Sequence, residues 1–294
     1  MELDVVMPTW NSNMPYFRVV LKRIIDTIPL NKFILVDRYS TDGTVEQVKR
    51  MVSPEKLIVI RTHADLARAR AIGIKCVGTK FFVFIDSDVL IPRSFRIEKY
   101  VKLLEMDSRL GVVSFPIRSI YEYDDMYYNR RGKQVQRILR KIEEITATEI
   151  IRHGLFYLIE GDLFLAILRT DIVKDWQPPL YLSAHEVLSL TQHILNKGYL
   201  WVEIAEPAIH LKELEYGTGI RRHVKQGLWM GGNARILGIP KKLFFLEIFT
   251  RLLLGVPYRI LTIRDPVKVL NYASYYIGYL IGYLNPHKYR VWKR

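Results

Sequence analysis

Cysteine is almost missing from this chain: Cys76 stands alone among 294 residues. A single thiol excludes an internal disulfide framework and any zinc site built from cysteine, and it fits a reducing compartment. Acidic residues are also scarce, 30 against 44 lysines and arginines, leaving a formal net charge of +14. The opening residues Met1-Glu2-Leu3-Asp4-Val5-Val6 lack a basic region followed by an apolar stretch, so no secretory signal is expected. Neither an internal repeat nor a low-complexity tract occurs. What remains is globular, because 49% hydrophobic and 25% charged residues exclude disorder. The length suits one large domain or two ordinary ones. A surplus of positive charge suits nucleic acid, anionic lipid or a phosphorylated small molecule equally.

Short apolar runs rich in Val, Ile and Phe recur at Leu3–Met7, Phe33–Val36, Leu57–Ile60 and Phe81–Ile85. Strands buried on both faces read this way. Between them lie segments with helical spacing, Val19, Leu21, Ile24, Ile25 and Ile28, then Val45, Val48 and Met51, with Thr41 and Thr44 as caps for the second. The alternation predicts an α/β fold of right-handed βαβ units, in which ligands bind beyond the carboxyl ends of the strands.

Composition changes at 117–153, where Tyr121, Tyr123, Tyr127 and Tyr128 mingle with charges; this reads as a surface excursion carrying a helix. A further helix is predicted from about Ala184 to Lys197, stopped by Gly198. The last fifty residues are a second break. Leu243–Ile263 is mostly apolar but interrupted by Glu247, Arg251 and Arg259, with Pro257 set to kink it. Val267–Leu284 is cleaner, and 18 residues at ~1.5 Å each approach the minimum for crossing a bilayer. Gly278-x-x-x-Gly282 permits close helix contact there, while Tyr272, Tyr275, Tyr276, Tyr279 and Tyr283 favour an interfacial or packed helix over a lipid-exposed one. Basic residues before the pair and after it, Lys241 and Lys242, then His287, Lys288, Arg290, Lys293 and Arg294, suit a hairpin in the cell membrane with both basic clusters and the catalytic domain on the cytoplasmic side. Two core helices of a soluble protein are the alternative. The expected division is therefore 1–240, with halves 1–116 and 117–240, and a membrane-associated segment at 241–294.

Chemistry centres on Asp86-Ser87-Asp88, which follows the fourth apolar run. Two carboxylates at a strand end can hold a hard cation such as Mg²⁺ or Mn²⁺ and leave positions for phosphate oxygens. Alone the pattern often caps a turn. A second cluster, Asp37 to Thr44, reads as a strand-to-helix turn from Ser40 onward but leaves Asp37 without a turn role. The first run ends in Met7-Pro8-Thr9-Trp10-Asn11, so three strand ends converge on one cleft.

These segments, together with Ala69-Arg70-Ala71-Ile72-Gly73, resemble the nucleotide-sugar half of the family-2 glycosyltransferases with the GT-A fold, a Rossmann-like mixed sheet flanked by helices. The resemblance covers residues 3–116, and Ala71 departs from it where the family usually has Asn. It implies that Pro8 and Thr9 line the nucleotide, with Asn11 and Ser87 in the same set, and that Asp37 bonds the base beside Arg70. It further implies that Asp86 approaches the ribose and shares the cation with Asp88. Glu160-Gly161-Asp162 resembles the segment under the donor sugar and near the acceptor, or is a plain turn. His185-Glu186 stands where the family has a base toward the acceptor; Glu186 takes that role, with His185 as the alternative. His210 matches the place from which some members bring a further metal ligand, though a lone His also serves structure. Arg221, Arg222 and Lys225 lie between glycines 217, 219 and 227 with Gln226 and Trp229 after them, and read as a basic loop closing over a diphosphate.

The resulting expectation is a Mn²⁺- or Mg²⁺-dependent inverting transferase. It would move a sugar from GDP-mannose or a UDP-sugar to a polyprenyl-, dolichol- or glycolipid-borne hydroxyl or phosphate. A soluble transferase with a non-lipid acceptor is one alternative. The other is a non-catalytic basic protein on membrane or nucleic acid, but no nucleic-acid reading motif is present.

Overall fold

All four apolar runs form strands, and their burial explains why. In the computed structural model, which describes residues 1–93, 95–119, 163–180, 182, 185–204, 208–211, 220–262 and 266–286, β1 (Leu3–Thr9) is buried at every position. It is followed by α1 (Phe17–Thr27), β2 (Leu30–Asp37), α2 (Thr44–Met51), β3 (Leu57–Arg61), α3 (Leu66–Lys75) and β4 (Phe81–Ile85), the last again wholly buried. β3 differs from the expectation of burial on both faces: it is the end strand and only half-buried. The chain divides into two units, 1–64 with 68–177 and 190–215, and 65–67 with 178–189 and 216–294.

In the first unit the chain continues through β5 (Val89–Leu90), α4 (Ile97–Met106), β6 (Leu110–Ser114), β7 (Ile117–Ser119), β8 (Leu165–Arg169) and α5 (Thr170–Val173). Helix α6 (Glu186–Asn196), which belongs to this unit from Leu190 onward, leads to β9 (Leu200–Glu203) and β10 (Ala208–His210). Gly198, at φ 80°, follows α6 and stops it as the sequence predicts, because this backbone conformation costs glycine least. The main sheet runs β3-β2-β1-β4-β8-β6-β9. β1 pairs in parallel with both β2 and β4, while β8 lies antiparallel between β4 and β6, so the sheet is mixed. A small sheet, β5-β10-β7, sits with it in this unit. At the amino end of β1 the buried Asp4 accepts from the Asn31 side chain at 2.7 Å and the Gly78 N–H at 2.7 Å, a structural carboxylate remote from the strands' carboxyl ends.

The second unit is helical: α7 (Ile220–Ile236), α8 (Lys241–Thr250), a π-helical turn (Arg251–Gly255), α9 (Val256–Thr262) and α10 (Pro266–Leu284). Two expectations are corrected here. Arg221, Arg222, Lys225, Gln226 and Trp229 are on α7, not in a loop, and Gly227 is a helix contact instead of a hinge. Val267–Leu284 does form one helix, but among the described residues no helix is long and apolar enough to cross a membrane. Its five tyrosines lower its hydropathy, and it packs on α7 instead. Gly227 and Gly231 face Gly278 and Gly282, and a Cβ on any of the four would overlap backbone of the opposite helix. That close approach is what the small-residue spacing permits. Phe244 stacks on Tyr283 with ring centroids 3.7 Å apart and, with Ile248, Tyr279 and Ala234, closes a small core.

Gly231→Leu is expected to force α7 and α10 apart and lower unfolding stability by about 1–3 kcal/mol, the usual cost of overpacking. Chemical denaturation checks this, with the exposed Thr262→Ala as a control near zero.

Candidate functional site

Strand order reverses between β1 and β4, and open α/β sheets bind ligands in the crevice at such a reversal, beyond the carboxyl ends. The segments leaving β1, β2 and β4 all emerge at this edge. The first two are stitched together by side chains. Asp37, wholly buried, accepts from the Thr9 hydroxyl at 3.2 Å, the Ser40 N–H at 2.9 Å and the Ser40 hydroxyl at 2.5 Å. Arg61 approaches its other side at 3.9 Å. The sequence reading that gave Asp37 no turn role is thus corrected: it is the hub of this loop, and its burial commits it to the protein's own donors.

Asn11, in left-handed backbone at φ 48°, takes the Thr41 N–H on its side-chain oxygen at 2.9 Å, while its own N–H reaches the Ser40 hydroxyl at 2.8 Å. The Ser12 N–H donates to the Thr44 hydroxyl at 2.8 Å. Helix α2 is capped by neither Thr41 nor Thr44, as the sequence suggested: Gly43, at φ 86°, holds the N-cap position without a side-chain cap, and Asp42 before it accepts from the Thr44 N–H at 3.1 Å. Burial opposes ionisation of Asp42, but the Thr44 hydroxyl and the N–H groups of Asn13 and Thr44 outweigh it and hold its carboxyl below the usual range.

Beyond β4 the two carboxylates part. Asp86 receives Arg70 at 2.8 Å; Arg70 is 2% exposed and its guanidinium lies 5.6 Å from the centre of the Phe84 ring. Ser87 shares a hydrogen bond with Ser12 at 3.0 Å, joining the ends of β1 and β4. Asp88 faces His210, with Nε2 3.5 Å from Oδ2. The strand pairing fixes this meeting, because β10 runs antiparallel to β5 with His210 opposite Val89, and the Leu211 N–H donates to the Asp88 carbonyl at 2.8 Å. His210 Nε2 is buried and has no hydrogen-bond partner among the described residues. A buried ring nitrogen aimed at a carboxylate and lacking a hydrogen bond is a donor set that a divalent cation completes. Among the described residues no group of three or more His, Cys, Asp or Glu side chains gathers, so Asp88 and His210 are the pair available here, with Asp86 turned to Arg70.

His185 and Glu186 belong to the second unit. His185 is in left-handed backbone at φ 56°, its Nε2 lies 3.5 Å from the Tyr279 hydroxyl oxygen, and Glu186 begins α6 nearly buried. Burial pushes the His185 imidazole below its ordinary 6.5, against the opposing pull of Glu186 and the Met230 backbone. Gly161 and Asp162 lie outside the described residues. Sequence reasoning passed over Arg61, Ser12 and the stack of Tyr39 on His63, whose ring centroids are 4.3 Å apart. Arg61 was within reach of it, because parallel register sets Asp37 opposite Arg61; the other two depend on loop conformation.

The family model described as Glycosyl transferase family 2 matches residues 4–162, more than half of the chain. No curated protein matches the sequence. Among solved structures, S. aureus TarS 1-349 is 13% identical, with 98% of this chain and 92% of that one covered, at a TM-score of 0.52. The mannosyltransferase PcManGT from Pyrobaculum calidifontis, in complex with GDP-Man and Mn²⁺, is 16% identical over 96% of this chain and 87% of its own, at 0.61. Glucosyl-3-phosphoglycerate synthase from Mycobacterium tuberculosis, in complex with Mn²⁺, UDP and phosphoglyceric acid, is 15% identical over 82% and 80%, at 0.50. At such identities the likeness is one of fold.

Two outcomes are expected. Arg70→Met leaves Asp86 without its cation; the loss in stability should be about 3 kcal/mol, at the low end for a buried pair because Asp86 is 17% exposed. For His185, a folded pKa below the unfolded 6.5 means its neutral form stabilises above that value and the contribution is lost as pH falls. His185→Gln should therefore flatten the decline in thermal midpoint between roughly pH 7 and 5.

Proposed function

Since the chain belongs to glycosyl transferase family 2 and is a glycosyltransferase, we propose that it takes its sugar from a nucleoside diphosphate held, with a divalent cation, at the carboxyl ends of β1 and β4. The observation that carries this reading is the buried His210 Nε2, without a hydrogen bond among the described residues, aimed at Asp88. Asp88 and His210 hold the cation. Carboxylate suits Mg²⁺ or Mn²⁺, and the imidazole leans toward Mn²⁺. Bound there, the cation supplies charge stabilisation to the departing diphosphate. Arg70 fixes Asp86 in its rotamer and offsets its charge, so that Asp86 can face the ribose without repelling the diphosphate. Thr9, Asn11 and Ser87 line the nucleotide. Asp37 serves it indirectly, by locking the loop that carries Thr9 and Ser40. Glu186 accepts the proton of the acceptor hydroxyl, a role resting on its motif position and on carboxylate chemistry near neutral pH; His185, kept neutral by burial, is the alternative base.

GDP-mannose is the first donor to test, supported by the fold shared with a mannosyltransferase bound to GDP-Man and Mn²⁺; UDP-sugars are the second. The acceptor is lipid-linked and the enzyme works at a membrane, a reading supported by the apolar surface of its C-terminal helices, and the basic residues that flank them favour the cytoplasmic face.

Titration calorimetry with GDP and UDP, with and without Mn²⁺, tests the donor site. Mn²⁺ should strengthen binding, His210→Ala should weaken the metal-dependent part at least about tenfold, and Asp88→Ala should remove it. Nucleotide binding that ignores metal, or no nucleotide binding at all, contradicts the proposal. Glu186→Gln should leave donor binding intact and slow turnover by roughly 10²–10⁴-fold. Full turnover in that variant with loss in His185→Ala would move the base to His185.

A further inference from the structure

The second unit carries an apolar surface that its own core does not use. In α8, Phe244 and Ile248 are buried with Tyr279 and Tyr283, whereas Leu243, Phe245, Leu246 and Phe249 on its other sides are exposed. The exposed face continues through Leu253 and Leu254 of the π-helical turn, then Tyr258 and Ile260, to Leu261, which is 85% accessible. A helix apolar on all sides normally has cover on all sides, and a continuous exposed face of this kind marks an interaction surface.

Three features say what covers it. First, the exposed Thr250 and Thr262 hydroxyls donate back to the carbonyls of Leu246 and Tyr258, both at 2.8 Å, so neither donor depends on water. Second, the charges of 241–262 are mostly basic, Lys241, Lys242, Arg251 and Arg259 against Glu247. Third, the two arginines are arranged around one ring. Arg259 lies over Tyr272 at 4.0 Å, and Arg251 stands beside Tyr276 and Tyr272, which push its guanidinium further up against the effect of burial. The Tyr272 hydroxyl presses on Gly255, where a Cβ would come within 2.5 Å, so the glycine in the π-helical turn is what admits the ring between them. Two guanidinium groups held on an aromatic scaffold suit the oxygens of a phosphate.

We propose that residues 241–262 form an in-plane docking surface for an anionic phospholipid leaflet, with the apolar face in the acyl boundary and Arg251 and Arg259 on headgroup phosphates. It deepens the membrane reading above and rests on it, replacing a span by a helix lying in the interface, in keeping with the lack of a spanning helix among the described residues.

The test is co-sedimentation of the full chain with phosphatidylcholine vesicles, with and without phosphatidylglycerol. Wild type should prefer the anionic vesicles. The double change Leu254→Glu and Leu261→Glu should weaken binding by about 10–100-fold, and Arg251→Gln with Arg259→Gln should cut the anionic preference by roughly fivefold per arginine. GDP binding should be unchanged in every variant, and an unchanged helical circular dichroism spectrum reports that the second unit folds in each. The proposal is overturned if the glutamate variant binds as wild type or if wild type shows no preference for phosphatidylglycerol. It is equally overturned by a concentration-dependent dimer in vesicle-free buffer that the glutamates dissolve. Membrane binding that survives the glutamate changes rejects this surface but keeps the membrane reading, whereas absent binding of both GDP and UDP with the vesicle results intact rejects the donor reading alone.

Discussion

Between β1 and β4 the order of the strands reverses: β2 and β3 extend the sheet on one side, β4 and the later strands on the other. At such a reversal the connections diverge and the carboxyl ends stay uncovered, which gives a charged ligand access to backbone and side chains from two strands at once. The loops here are shaped to use it. Asp37 locks the ends of β1 and β2, Ser12 and Ser87 join β1 to β4, and the β5–β10 pairing delivers His210 to Asp88. These contacts depend on β1 lying parallel between β2 and β4, which sets Thr9, Asp37 and the residues after β4 along a single edge.

Electrostatics then divides the two carboxylates of Asp86-Ser87-Asp88. They point at different partners, one to an arginine that is almost wholly buried and one to an imidazole. A dehydrated guanidinium demands a carboxylate, so Asp86 is held whether or not a cation is present. The Asp88–His210 pair is a different situation, since at 3.5 Å from the carboxylate the buried ring nitrogen has no hydrogen bond among the described residues.

Much of this was legible in the sequence, and the limits are physical. The four parallel strands and the carboxylates after β4 follow from local patterns, short runs rich in Val, Ile and Phe alternating with helical spacing. The antiparallel insertion of β8 between β4 and β6 does not, because pairing partners far apart in sequence leave no local mark. Asp37 looked idle since its donors, Thr9 and Ser40, come from two loops whose meeting depends on the sheet. Gly278 and Gly282 announced a close helix contact, but their partners Gly227 and Gly231 sit in a stretch whose charges and glycines look like a loop. Glycine in a helix is costly unless packing requires it, and only the fold reveals that it does.

A pulsed electron paramagnetic resonance measurement on Mn²⁺ bound with GDP tests the central claim most directly, because the spin of the metal reports the nuclei of its ligands. Modulation from one histidine nitrogen should be present in the wild-type protein, persist in His63→Ala, and vanish in His210→Ala. Bound Mn²⁺ without nitrogen modulation, or with modulation that survives His210→Ala, would contradict the account.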